Sequence, residues 1–263
     1  FDRLILPSLP EVAIRVREAV SDPDVPAAQV ARLIAVDPAL SAQVIKMANS
    51  AFYPGRTPVT DIKNAVVRLG AMAVRHLVMV VVTAQLFQAK RSPDLAERIR
   101  RAWVESVRVA ALSRAVAGHA TALDPEEAFL AGLLYQIGVL PALEWALKIP
   151  HLFRDPRQME VFVTRAHPEI GALILERWGY PEALVAAVRE HGSVDQDVPA
   201  PASPAHVVAL ASRLAGLLEA GEEAVPEPGE AWLAGAALPP ETVRACLESG
   251  RQGAEEMLSI LPP

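Results

Sequence analysis

The side chains whose ordinary pKa values best suit them to act as a nucleophile or a general base near neutral pH are scarce: one cysteine and six histidines stand among 263 residues. Cys246 has Glu241 and Glu248 nearby, and negative charge raises the pKa of a thiol, which disfavours the nucleophilic thiolate. His167 and His191 have a spacing compatible with one shared cavity, whereas the other histidines belong to no recognisable pattern. The sequence contains no Gly-x-Ser-x-Gly elbow, Walker A loop or Gly-x-Gly-x-x-Gly turn. These residues alone therefore indicate no catalytic centre.

Helices must position these side chains, because apolar residues recur every three or four positions along almost the whole chain. We therefore predict an all-α protein. Asp37-Pro38, Asp124-Pro125 and Asp155-Pro156 mark helix starts, since aspartate caps a helix and proline is tolerated at its first position. The periodicity predicts helices over residues 10–20, 26–35, 38–49, 61–69, 71–88, 93–117, 125–137, 140–148, 156–166, 168–178, 181–190, 204–219, 230–236 and 240–260.

The composition excludes several classes of protein. With 52% hydrophobic and 21% charged residues, the chain can bury a large core and is not intrinsically disordered. Its apolar tracts, residues 77–84 and 129–149, are too short and too interrupted to span a membrane. No signal peptide opens the chain, and a single cysteine fits a reducing compartment. We therefore expect a cytoplasmic protein without a membrane partner.

The charge distribution argues against nucleic acid as a partner, because the net charge is −6. A helix-turn-helix over residues 26–49 is an alternative, with Gln43 and Lys46 on its second helix. That helix offers one cation, however, and its apolar residues are needed for packing. The densest basic stretch, which we interpret as a solvated helix face, comprises Lys90, Arg91, Arg98, Arg100 and Arg101.

Motifs in the first third of the chain indicate a family. Leu6-Pro7 and Leu9-Pro10 come first, Asp37-Pro38-Ala39-Leu40 leads to Asn49-Ser50-Ala51-Phe52-Tyr53, and a helical segment then ends at Gly70. In this order the motifs closely resemble the HDOD domain, the HD-related output domain of bacterial signalling proteins. The resemblance covers most of the chain and implies a multi-helical HD-like bundle with an N-terminal helical subdomain. We assign residues 1–90 to the N-terminal bundle and 91–263 to a degenerate HD-like bundle. Because the chain begins at Phe1, we expect it to be a segment of a longer protein.

The resemblance also allows the metal-binding positions of HD phosphohydrolases to be compared. Those enzymes hold a metal ion with a histidine, an adjacent His-Asp pair and a later aspartate, and the metal activates water. Here the matching motifs have Glu105 for the histidine, Tyr135-Gln136 for the pair and Ser212 for the aspartate. Only Glu105 suits a hard cation, so we predict no metal, no cofactor and no catalytic residue. His167 and His191 match histidines that extend the metal site in metal-dependent relatives. The resemblance therefore implies a vestigial pocket formed by Glu105, Tyr135, Gln136, His167, His191 and Ser212.

A bundle that keeps its fold but loses its metal ligands must act by binding. The resemblance implies a non-catalytic regulatory module of bacterial signal transduction, with signalling proteins of two-component or cyclic-di-nucleotide pathways as partners. Tyr53 and Arg56, with Asn49, are the candidate partner contact, because tyrosine and arginine supply large, oriented contact area. Two alternatives stay open: a metal-dependent phosphohydrolase of HD type with an atypical ligand set, and a DNA-binding regulator.

Overall fold

The structure is a computed structural model. It describes residues 4–22, 24–50, 52–53, 55, 57–88, 93–149, 155–193, 203–220 and 238–263. Across these ranges all regular elements are helices, which confirms the predicted all-α class. The helices are α1 (Glu11–Val20), α2 (Ala27–Ile34), α3 (Pro38–Ala48), α4 (Ile62–Leu69), α5 (Ala71–Gln88), α6 (Pro93–Ala120), α7 (Pro125–Leu134), α8 (Val139–Ala146), α9 (Pro156–Arg177), α10 (Glu182–Glu190), α11 (Pro204–Ala220) and α12 (Pro240–Ile260). The predicted helix at 230–236 lies outside the described residues.

Asp-Pro pairs begin three of these helices, as the sequence predicted. Asp37 and Asp155 each accept hydrogen bonds from two backbone N–H groups of the first turn, with N–O distances of 2.9–3.2 Å. Asp124 accepts one such bond at 2.8 Å. Each cap satisfies backbone donors that have no partner within the helix, so the aspartates fix where α3, α7 and α9 begin.

Helix α9 corrects the prediction of two helices, residues 156–166 and 168–178. It runs without a break from Pro156 to Arg177, with Pro168 in its interior. A proline has no N–H to bond the carbonyl four residues earlier, here that of Thr164, and such a position usually bends or ends a helix. The imidazole of His167 lies against this turn: its Nδ1 is 3.0 Å from the Val163 carbonyl oxygen, and the Thr164 carbonyl also acts on the ring. Side-chain bonding thus supports the turn that the proline weakens and fixes the orientation of His167.

The chain divides into two compact units. The small unit comprises Ser8–Ala89 and Glu255–Pro263, and the large unit comprises Phe1–Pro7 and Lys90–Ala254. In the small unit α5 is the central helix, since it contacts α1, α3 and α4 and its residues from Leu77 to Ala84 are all buried. The apolar core of this unit therefore forms around α5.

In the large unit α6 is the longest helix and contacts α7, α8 and α11. Helix α9 contacts α8 and α10, and α10 contacts α7 and α11. Helices α6 and α7 approach closely at Gly132, where an added Cβ would lie 2.8 Å from the Val109 carbonyl oxygen. This packing brings the carboxyl end of α7 against the middle of α6, and both carry residues of the vestigial pocket.

Two stretches are long and apolar enough to cross a membrane by length and composition, Ala71–Gln88 and Pro125–Ala146. The expectation that both tracts are too short or too interrupted was therefore wrong on those criteria. Burial gives the distinguishing observation, because 61% and 83% of the most apolar 18-residue windows of these stretches are buried inside the fold. A helix that is apolar on nearly all sides and covered by its neighbours is a core helix.

Candidate functional site

The six residues of the vestigial pocket lie together in the large unit. Helices α6, α9 and α11 each supply one side chain, two come from the turn that links α7 to α8, and one follows the end of α10. In that order they are Glu105, His167, Ser212, Tyr135 with Gln136, and His191. The sequence prediction named these residues from separate motifs, and direct contacts join them.

The hydroxyl of Tyr135 is the centre of a hydrogen-bonded cluster. It donates to Glu105 Oε1 at 2.8 Å and accepts from Gln136 Nε2 at 2.8 Å. A side-chain hydrogen bond from Ser212 also acts on this hydroxyl. Burial raises the pKa of Tyr135 well above its ordinary value, and the charge of Glu105 and the bond to it add to the effect. Tyr135 is therefore a neutral phenol that satisfies the nearby carboxylate.

Two histidine rings continue the cluster. The His191 ring meets Tyr135 edge to face with 5.0 Å between centroids, and His167 lies 5.3 Å from His191. Burial is the main cause that lowers the pKa of His167 to about 4, and the charge of His191 adds to it. Burial also lowers the pKa of His191. Both imidazoles are therefore neutral near pH 7, since their pKa values lie below the ordinary 6.5.

The donor set does not suit a metal ion of HD type. The Tyr135 O–H and the Gln136 N–H are hydrogen-bond donors within the cluster, and Glu105 alone supplies a carboxylate. His167 and His191 could offer only their Nε2 atoms, because their Nδ1 atoms face backbone carbonyls at 3.0 and 2.8 Å. Among the described residues, no group of three or more His, Cys, Asp or Glu side chains could hold a metal ion. A hard divalent cation binds best to several oxygen ligands, most of them charged, and this cluster supplies one carboxylate.

A cavity of about 390 Å³ lies beside the cluster. Three arginines of the basic stretch, which the sequence predicted to be a solvated helix face, line this cavity. Arg100 and Arg101 are 50% and 64% exposed, as such a face should be, so the prediction was correct but incomplete. The residues that line it are Arg98, Arg100, Arg101, Ala102, Val104, Glu105, Arg108, Gln136, Val139, Leu143, Glu160, Val163, Thr164 and His167. Arginines at positions 98, 101 and 108 follow helical spacing with Glu105, and this pattern could have indicated a shared face.

The predicted partner contact needs a correction at Tyr53. This side chain is only 7% exposed and packs on Phe52 with 5.6 Å between ring centroids, so it belongs to the core of the small unit. The Asn49 side chain holds the local chain together: Nδ2 donates to the Ile45 and Val59 carbonyls, and Oδ1 accepts from the Val59 N–H at 2.7 Å. Arg56 lies outside the described residues.

Cys246 is fully buried. Burial raises the pKa of its thiol to about 11, the direction that the sequence predicted from neighbouring carboxylates. The cause is different, because desolvation of the thiolate replaces charge repulsion as the main effect. A thiol with this pKa is a packing residue near neutral pH.

Replacing Tyr135 by phenylalanine tests whether the cluster stabilises the fold. The variant leaves the Glu105 carboxylate and the Gln136 amide without their shared partner. We expect the free energy of unfolding to fall by about 1–3 kcal/mol. Denaturant unfolding of Tyr135→Phe, Glu105→Ala and the double variant measures the coupling. Purely additive effects would show that the Tyr135–Glu105 bond contributes nothing.

Comparison with known proteins agrees with this architecture. A crystal structure of a candidate metal-dependent phosphohydrolase from Shewanella amazonensis SB2B is 30% identical, with a TM-score of 0.80 over 97% of this chain and 94% of that one. A candidate signal transduction protein from Marinobacter aquaeolei VT8 is 24% identical, with a TM-score of 0.64 over 97% of this chain and 59% of that one. The fold is therefore shared with solved all-helical proteins.

Two comparisons of sequence show what the chain is related to. An uncharacterized protein of Treponema pallidum (strain Nichols) is 26% identical over 199 residues, which are 71% of this chain and 37% of that protein. The chain thus spans about a third of that relative's length. The sequence model of the HDOD domain matches residues 6–194, well over half of the chain. On this match the chain belongs to the HDOD domain family.

Proposed function

We propose that this chain is a non-catalytic regulatory module that acts by binding a protein or a small ligand at the vestigial pocket. The observation that carries this proposal is the Tyr135 hydroxyl, which donates to Glu105 at 2.8 Å. A water-activating metal site needs that carboxylate as a free ligand, together with further charged or imidazole ligands. Here the carboxylate is engaged by a neutral phenol, and its neighbours Gln136 and Ser212 carry no charge.

Membership of the HDOD family and similarity to a candidate signal transduction protein support a regulatory role. We propose that the partners are signalling proteins of two-component or cyclic-di-nucleotide pathways, and that the module works in the cytoplasm. The pocket offers a concave surface for such regulation, because its cavity lies next to the hydrogen-bonded cluster. A ligand that entered the cavity would contact Glu105, Gln136 and His167 directly.

A metal-dependent phosphohydrolase is the second candidate, because the 30% identical Shewanella protein bears that name. For this chain to act in the same way, metal would have to displace Tyr135 from Glu105 and recruit His167 and His191. The chemistry of the donor set opposes this, since Glu105 is the only carboxylate of the cluster and its neighbours Tyr135, Gln136 and Ser212 carry no charge.

Metal content and phosphodiester cleavage together decide between the candidates. The full chain is purified without chelator, analysed for bound transition metals, and then assayed with bis(p-nitrophenyl) phosphate in the presence of Mn²⁺. We expect metal well below one equivalent per chain and no turnover above that of the buffer. One tightly held metal per chain together with turnover would overturn the proposal. A Glu105→Ala variant is the control, since true metal-dependent turnover would disappear with the only carboxylate of the cluster.

A further inference from the structure

The cavity beside the vestigial pocket has a wall rich in arginine. Helix α6 contributes Arg98, Arg100, Arg101 and Arg108 to its lining, and the cavity measures about 390 Å³. Pockets for small molecules span roughly 300–1,000 Å³, so this volume suits one small ligand rather than a polypeptide helix. Guanidinium groups present several N–H donors in a fixed fork that matches phosphate oxygens. The wall thus has the chemistry of an anion site.

The charge of the lining supports the same conclusion. Glu105 and Glu160 line the cavity together with the four arginines, and Glu97, outside the lining, pairs with Arg100 at 2.8 Å and with Arg101 at 3.7 Å, which leaves an excess of one positive charge. The side chains of the Glu97 pairs are at least half exposed, so these pairs contribute little stability. Arg98 pairs with Glu160 at 2.7 Å, but Glu160 is 67% exposed, and pairs open to solvent contribute little stability. An entering anion can therefore replace this carboxylate at low cost. Like charges that converge on a concave surface concentrate the field that attracts such an anion.

A second, independent feature of the cavity is an unused hydrogen-bond acceptor. His167 lines the cavity and is 9% exposed, and its Nε2 is buried without a hydrogen-bond partner among the described residues. Because Nδ1 faces the Val163 carbonyl at 3.0 Å, the proton of the neutral ring is at Nδ1 and Nε2 carries a lone pair. That lone pair needs an N–H or O–H donor to satisfy it. A simple anion whose oxygens all accept hydrogen bonds from arginine supplies no such donor.

We propose that this cavity binds a small phosphate ester that also carries a hydroxyl or amino group. This proposal rests on the proposed function and names the ligand of the same pocket. The phosphate oxygens accept hydrogen bonds from Arg98, Arg101 and Arg108, and the hydroxyl or amino group donates to His167 Nε2. Nucleotides and sugar phosphates share this chemistry. Binding changes the lining of the vestigial pocket directly, because Glu105 and Gln136 belong both to the cavity and to the Tyr135 cluster.

Calorimetric titration of the full chain tests the proposal with four probes: adenosine 5′-monophosphate, guanosine 5′-monophosphate, ribose 5-phosphate and inorganic phosphate. We expect one saturable site for at least one ester, with an affinity above that for inorganic phosphate. Preference for a nucleotide over ribose 5-phosphate identifies a nucleotide site, and equal affinity identifies a sugar phosphate site. Absence of ester binding, or an affinity no higher than that of inorganic phosphate, would overturn the proposal.

Variants locate the binding site. Arg98→Gln combined with Arg101→Gln should weaken ester binding by about tenfold or more, because charge-assisted bonds to phosphate are lost. Arg244→Gln combined with Arg251→Gln is the matched control: it also removes two charges, from exposed positions of α12 that do not line the cavity. His167→Phe should remove the preference for the ester over inorganic phosphate. Equal weakening by the Arg244→Gln and Arg251→Gln double variant would show that net charge, and not this cavity, drives binding.

The two proposals fail in distinguishable ways. Turnover of a bound ester with metal would overturn the non-catalytic function while the binding site stands. Absence of binding by all probes, with no metal and no turnover, would overturn the ligand assignment and leave the regulatory module intact. Thermal unfolding of each variant confirms that it is folded, and the arginine pair remains a valid test if His167→Phe does not fold.

Discussion

Replacement of Gly138 by alanine is expected to lower the free energy of unfolding by about 3 kcal/mol or more. Gly138 precedes α8 and has a φ of −69°, which any residue adopts, so its backbone conformation does not require glycine. The space around it does. An added Cβ would lie 2.1 Å from the His167 carbonyl oxygen and 2.6 Å from the Gly171 backbone nitrogen. Both are main-chain atoms of α9, so the two helices must separate and His167 must move with α9.

Two other glycines calibrate this effect. At Gly171 an added Cβ would meet the Val188 side chain at 2.7 Å, and a side chain can shift, so alanine there should have an intermediate effect. Gly216 lies in α11 with nothing within 4 Å of an added Cβ, and alanine there should raise stability by up to about 1 kcal/mol. Urea unfolding of the three variants measures the series. A Gly138→Ala protein as stable as the unsubstituted chain would show that α8 and α9 slide apart freely.

Acid should destabilise the fold through His167. Its pKa is about 4 in the folded protein against 6.5 in the unfolded chain, so the unfolded state binds this proton more tightly. The free energy of unfolding therefore has its full value above pH 6.5 and decreases as the pH falls from 6.5 to about 4. This one group accounts for a loss of about 3 kcal/mol. The lowered pKa of His191 adds a further loss in the same direction.

The contribution of His167 is measured by difference. Denaturant unfolding at intervals from pH 7.5 to pH 4 is compared for the unsubstituted chain and His167→Gln, which cannot titrate in this range. The unsubstituted chain should lose more stability on acidification, so the two curves should converge or cross. His119→Asn is the control for loss of a histidine, because His119 lies at an exposed position near the end of α6. Parallel curves for His167→Gln and the unsubstituted chain would contradict the shift.

Much of the fold could be predicted because its signals are local. The Asp-Pro pairs at residues 37, 124 and 155 start their helices where expected, since the cap and the proline act within one turn. Pro168 shows where local rules fail. Proline usually ends a helix, but here a neighbouring imidazole bonds the same turn, and the packing of α9 keeps the helix intact. That support depends on tertiary structure, which no local pattern expresses.

In the candidate site, too, some residues could be predicted from local sequence and others depend on tertiary structure. Glu105, Tyr135, Gln136 and Ser212 could be named from motif positions, and hydrogen bonds join them. The arginine wall could be named only as a basic stretch. Whether an arginine faces solvent or a cavity depends on the opposite wall, here Glu160, Thr164 and His167 of α9, which lie about sixty residues away in the sequence.

Tyr53 illustrates the converse error. A tyrosine near proline and glycine in a connecting segment is typical of a contact surface, because such segments generally run over the surface. This side chain instead is 7% exposed and packs on Phe52. Aromatic rings bury large areas wherever the chain allows it, and the sequence does not show whether a loop folds inward.

The shared hydroxyl of Tyr135 also limits which single substitutions this cluster tolerates. A histidine in place of Tyr135 would break the present bonds to Glu105 and Gln136. The changed protein would lose stability while the cluster still offered a metal ion a single carboxylate. Metal binding at this cluster would therefore require several substitutions at once, so that no one step on the way is favoured by selection.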